Sequence, residues 1–231
     1  EHQIKVRKPG PAGKADPFEL TVISTSTMSE EDFEEMARIR RLFLMCENFG
    51  VLRLLARYFR QETGRREMDL YEAIQARVDQ EPERWLALGY LVESAHTVMA
   101  PPISWKLLID EIRDVLIDEG VPDDAALETA LRVQHAALPA HSRVFPLVLD
   151  LPHDFSAWHD AMIERKIDGL PWTDEVPHLR DLGPGTFEVT DPYNVGETLL
   201  GGALDAAWFD GWELVSSVAR PMPYTIDVGA V

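Results

Sequence analysis

Four residues of this chain have the types and spacing of metal ligands. Glu93 and His96 stand three apart in Glu93-Ser-Ala-His96, which puts a carboxylate and an imidazole on one helix face. His153 and His159 each precede an aspartate, Asp154 and Asp160. Glu93, His96, His153 and His159 are therefore the candidate ligands if the chain is a stand-alone metal-dependent enzyme. A di-iron bundle needs two Glu-x-x-His motifs. The second here, Glu175-Val-Pro-His178, has a proline where a helix must continue. His153 and His159 are six residues apart, about 240° around a helix, so one metal reaches both only if His153 precedes the helix. The plainer reading is a hydrogen-bonded structural His96, an N-cap at Asp154 and an exposed His159. His135 and His141, on either side of Pro139, read as loop histidines. No metal is assigned on this reading.

Other catalytic signatures are missing from the sequence: no phosphate loop, dinucleotide fingerprint, nucleophile elbow or His-Glu-x-x-His. The acid pairs Asp110-Glu111, Asp118-Glu119 and Asp123-Asp124 read as solvated helix faces and caps, because neighbours in sequence point different ways on a helix. Cys46 is the single cysteine of 231 residues and lies in an apolar run, Leu42-Phe43-Leu44-Met45-Cys46. That predicts a buried, inert thiol. One thiol makes no internal disulfide and holds no iron–sulfur cluster, which fits a reducing, cytoplasmic setting.

With 22 basic and 40 acidic residues the chain carries a formal charge of −18. Nucleic-acid binding and anionic membrane surfaces are disfavoured, since both need clustered Lys and Arg. No stretch approaches the roughly 18 apolar residues of a membrane helix.

The elements that must position these residues read as mainly α, a bundle of about six helices with a small β element formed by N- and C-terminal segments. Residues 1–17, with Pro9, Pro11 and Pro17 among Lys5, Arg7, Lys8 and Lys14, read as a linker or arm. Residues 18–168 form the helical domain, opening with a β-branched strand within 18–26. Ser29 followed by Glu30, Glu31 and Asp32 caps a helix over 30–48. Further helices are expected at 51–61, 68–79, 82–98, from Ser104 to 119, from Asp123 or Asp124 to 137, and 154–166. Gly120 is a C-terminal cap. A strand is expected over 143–151. Residues 169–231 form a loop- and β-rich extension, with strands at 187–189 and 212–219. Trp208, Phe209, Trp212 and Tyr224 cluster there, near Arg220-Pro221-Met222-Pro223, as core or as the interface of a protein-interaction module.

The segment Ile23-Ser24-Thr25-Ser26-Thr27-Met28-Ser29-Glu30-Glu31-Asp32-Phe33, running into a helix with Arg40, Leu42 and Phe43, resembles the C-terminal region of cobalamin (B12)-dependent radical S-adenosylmethionine (SAM) enzymes. In that family an extended segment ending in a Thr-x-x-Met-Ser-like turn leads from the radical domain into a helical region. The likeness is best over about residues 20–60. It implies a non-catalytic C-terminal domain that helps form a substrate pocket or an interface. Its partners would be the N-terminal catalytic domains of the same polypeptide, and the start at Glu1 suits a part excised from such a chain. The family's Cys-x-x-x-Cys-x-x-Cys and Asp-x-His-x-x-Gly motifs do not occur here. The [4Fe–4S] cluster, SAM and cobalamin are thus implied for the parent protein, with none in this chain, and no catalytic residue carries over.

Overall fold

The β-branched run Thr21-Val-Ile-Ser24 forms strand β2, which pairs antiparallel with β1, Lys5–Arg7. The computed structural model describes residues 5–7, 21–48, 50–93, 105–138, 144–167 and 176–190. It divides into two compact units, residues 1–41 and 42–231.

In the first unit, the register Lys5↔Ser24, Val6↔Val22, Arg7↔Thr21 places a strand inside the segment read as a linker. The prolines start only at Pro9, so Lys5-Val-Arg7 keeps every N–H for the ladder. After β2 the Thr25 N–H reaches the Met28 carbonyl at 2.8 Å. Ser29 Oγ then accepts from the Asp32 N–H at 3.0 Å, and Asp32 Oδ2 accepts from the Ser29 N–H at 2.8 Å. This is a reciprocal capping box with aspartate as its acid. Helix α1, Glu30–Phe43, follows, with acids in its first turn and Arg40 and Arg41 in its last, as the helix dipole favours.

Among its described residues the second unit has six further helices: α2 (Arg53–Thr63), α3 (Glu67–Gln80), α4 (Leu86–Glu93), α5 (Trp105–Asp118), α6 (Ala125–Ala137) and α7 (Phe155–Ile167). A π-helical turn, Leu44–Asn48, precedes α2. Helix α2 is the centre: residues 53–59 are all buried, and it packs on α3 and α6. Asp124 caps α6 by accepting from the Ala126 and Leu127 N–H groups, and Gly120 at φ +98° ends the turn after α5. Strands β3 (Leu147–Leu151) and β4 (Gly185–Val189) form an antiparallel ribbon, from Leu147↔Val189 to Leu151↔Gly185, with α7 packed on β4.

The architecture is mainly helical with a small β element drawn from both halves of the chain. Among the described residues that element is two ribbons, β1 with β2 and β3 with β4. The helix expected from Pro82 starts only at Leu86, for a tertiary reason given below. The strand expected at 212–219 and residues 94–98 of the helix expected over 82–98 lie outside the described residues.

Candidate functional site: a buried ionic cluster at the π-helical turn

The densest group of buried charges is built around Glu47. A π turn carries one extra residue per turn and recurs at functional sites; here it carries Glu47 inward. Glu47 Oε1 accepts from Arg57 Nη1 at 2.8 Å and from the Tyr71 hydroxyl at 2.5 Å, while Oε2 accepts from Arg57 Nη2 at 2.7 Å. Arg53 Nε donates to the Glu47 carbonyl at 2.5 Å. Glu67 extends the cluster, 3.2 Å from both Arg57 and Arg60. Three elements therefore meet on one carboxylate, the π turn, α2 through Arg57 and α3 through Tyr71, while Arg53 holds the Glu47 backbone carbonyl.

The electrostatics follow from this closure. Burial by itself would raise the Glu47 pKa. The Arg57 charge and hydrogen bonds, the Tyr71 hydroxyl and the Arg53 charge outweigh it and hold the carboxyl below its ordinary value. Burial, then the Glu47 charge, pushes Tyr71 well up. Burial opposes the Arg57 charge, yet Glu47 and then Glu67 raise its pKa further. A carboxylate so stabilised is a fixed anion rather than a poised base. The cluster's chemistry is positioning.

Beside it, Cys46 is fully buried, and burial followed by the Glu47 charge raises its thiol pKa well above the ordinary value. The inert buried thiol expected from the sequence is what the fold holds. Such a thiol does not fit the role of an iron–sulfur ligand, which must ionise.

Other buried polar groups also tie elements together. Glu111, expected on a solvated face, is 7% exposed. Its carboxylate accepts from the Ala87 N–H at 3.1 Å and the Leu88 N–H at 2.9 Å, so α5 caps α4 and sets its start. Gln134 of α6 accepts from the Leu54 N–H and donates to the Gly50 carbonyl, both at 3.0 Å. Gln61 accepts from the Trp158 indole N–H at 2.6 Å and donates to the carbonyls of Val176 and Pro177.

The histidine candidates separate. His153 Nδ1 lies 3.0 Å from Thr129 Oγ1 of α6, and Asp154 caps α7 through the Ala157 N–H at 3.0 Å, as expected. His159, expected exposed, is 0% exposed, stacked on Phe155 at 6.0 Å and edge-on to Phe187 at 6.1 Å. The reason is the α7–β4 contact, which the alternating pattern of β4 creates by turning Phe187 inward. His135 lies in the last turn of α6 rather than in a loop. His178 Nδ1 is 3.3 Å from Glu62 Oε1, and Arg180 pairs with both Glu62 and Asp124. Glu93 ends α4; its side chain, His96, His141 and the aromatic residues Trp208, Phe209, Trp212 and Tyr224 lie outside the described residues. Among the described residues no group of three or more His, Cys, Asp or Glu side chains is arranged to hold a metal ion, and no helix is long and apolar enough to cross a membrane.

The Glu47 cluster was missed from sequence because its members are spread over residues 47–71 at no motif spacing. The one available signal was a charged residue, Glu47, directly after an apolar run. Compared with known proteins, the chain matches no family model and no curated protein.

Proposed function

We propose that this chain is a non-catalytic helical domain that serves a catalytic portion of the same polypeptide, as the C-terminal region of a cobalamin-binding radical SAM enzyme. It helps form the substrate pocket or an interface. The observation that carries the reading is the passage from β2 through the Thr25–Met28 turn and the Ser29–Asp32 capping box into α1. It has the order of elements that the resemblance over residues 20–60 implies. The bonding of Glu47, Glu111, Gln134 and Gln61 supports it further: each links elements of the fold to one another.

On this reading the cluster, SAM and cobalamin belong to the catalytic portion, since the lone Cys46 is buried and un-ionised. The test has two arms. Sequencing the reading frame upstream of the codon for Glu1 is expected to reveal Cys-x-x-x-Cys-x-x-Cys; a frame without it refutes the assignment. Anaerobic reconstitution of this chain with iron and sulfide is expected to give no cluster absorption. A stoichiometric [4Fe–4S] cluster on this chain alone also refutes it.

A further inference from the structure

His159 is a buried titratable group that the positioning network does not use. It lies on α7 with no exposed surface, and neither ring nitrogen has a hydrogen-bond partner. Phe155 of the same helix stacks on it, and Phe187 of β4 meets its edge. Phe155 also packs on Trp158 at 5.0 Å and on Phe187 at 5.1 Å, so the imidazole sits inside the aromatic contact that joins α7 to the β3–β4 ribbon. The charge that bears on it is Arg53 of α2, which is positive. The nearby acids are otherwise placed. Asp154 caps α7, Asp160 is exposed, Glu188 alternates away from Phe187 on β4, and Asp150 is exposed on β3. His153 is engaged with Thr129.

We propose that this aromatic contact is an acid-released latch: one proton taken up at His159 separates α7 from the β3–β4 ribbon while α2 and α6 stay folded. An imidazolium here would hold two N–H donors without acceptors, in a desolvated site, under the repulsion of the Arg53 charge. Burial, then Arg53, accordingly holds the folded-state pKa down to about 3. Opening is the route by which the group reaches water and charges. The helices behind the latch have bonds of their own: Gln134 ties α6 to the start of α2, and the Glu47 cluster ties α2 to α3.

The sign is that of a lowered histidine pKa. The closed form is favoured above the ordinary imidazole value and loses ground as pH falls below it. The opened population rises tenfold per pH unit below about 6.5. Hydrogen exchange on the whole chain is expected to show α7 protection, corrected for intrinsic rates, falling by about 50-fold between pH 6.5 and 4.5, with α2 and α6 protection retained. In His159→Phe, which keeps an aromatic ring in the contact, that fall is expected to vanish. Equal falls in both proteins, or loss of α2 and α7 protection together, would overturn the proposal. NMR titration of the wild-type His159 ring decides the matter even if the variant fails to fold. The ring is expected to charge only in step with α7 opening; charging near pH 6.5 with α7 still protected overturns the latch.

Discussion

Replacing Glu47 with glutamine keeps the shape of the side chain and removes its charge, leaving Arg57 buried without its main counter-ion. The side chains of Glu47 and Arg57 are 10% and 11% exposed and share two bonds, of 2.7 and 2.8 Å. Breaking a buried pair from one side costs about 3–5 kcal/mol. Glu67 remains 3.2 Å from Arg57 Nη1, so the lower end applies, about 3 kcal/mol. For a chain of this size that lowers Tm by roughly 6–12 °C. Urea denaturation of wild type, Glu47→Gln, Arg57→Met and the double variant gives the coupling energy, expected at about 1.5–3 kcal/mol because the residues are in direct contact. The pH dependence supplies an independent check. The Glu47 folded-state pKa lies below its ordinary 4.5, so its contribution is complete above that value and is lost as pH falls through the lowered one. Glu47→Gln should lack this acid loss. A cost under about 1 kcal/mol with coupling near zero, as for an exposed pair, would refute a closed, desolvated cluster.

Three further outcomes are expected. Tyr71→Phe removes one donor from the Glu47 carboxylate and should cost about 1.5–3 kcal/mol by denaturant titration, as loss of a hydrogen bond to a charged group does. A Cβ on Gly185 would lie 2.8 Å from Asp154 at the start of α7, whereas one on Gly183 meets nothing within 4 Å. Gly185→Ala should therefore cost about 1–3 kcal/mol and Gly183→Ala less than about 0.5 kcal/mol, and equal effects in calorimetry would contradict the contact. Cys46 should resist iodoacetamide in the native chain and react only once unfolded, as its burial and raised pKa require; native labelling at a free-thiol rate, read by mass spectrometry, would contradict its burial.

Local chemistry was legible residue by residue. The Ser29 box, the Asp124 and Asp154 caps and the Gly120 terminator act within a few residues of where they stand, and each sits where its spacing predicts. The inert Cys46 follows from its apolar surroundings alone. The errors share one cause. Glu111 resembled any solvated helix acid, yet it caps a helix 23 and 24 residues away. His159 resembled an exposed helix residue, yet Phe187, 28 positions on, covers it.

The amino-acid sequence by itself determined the mainly helical class, the positions of most helices, the net charge of −18 and the presence of a single thiol. Those properties depend on composition or on interactions a few bonds long. Only the tertiary structure decided which charged groups are buried. Glu47, Arg57, Tyr71, Glu111 and His159 each owe their state to a partner on another element. Desolvation and Coulomb attraction depend on distance in space, and spacing along the chain does not encode that distance.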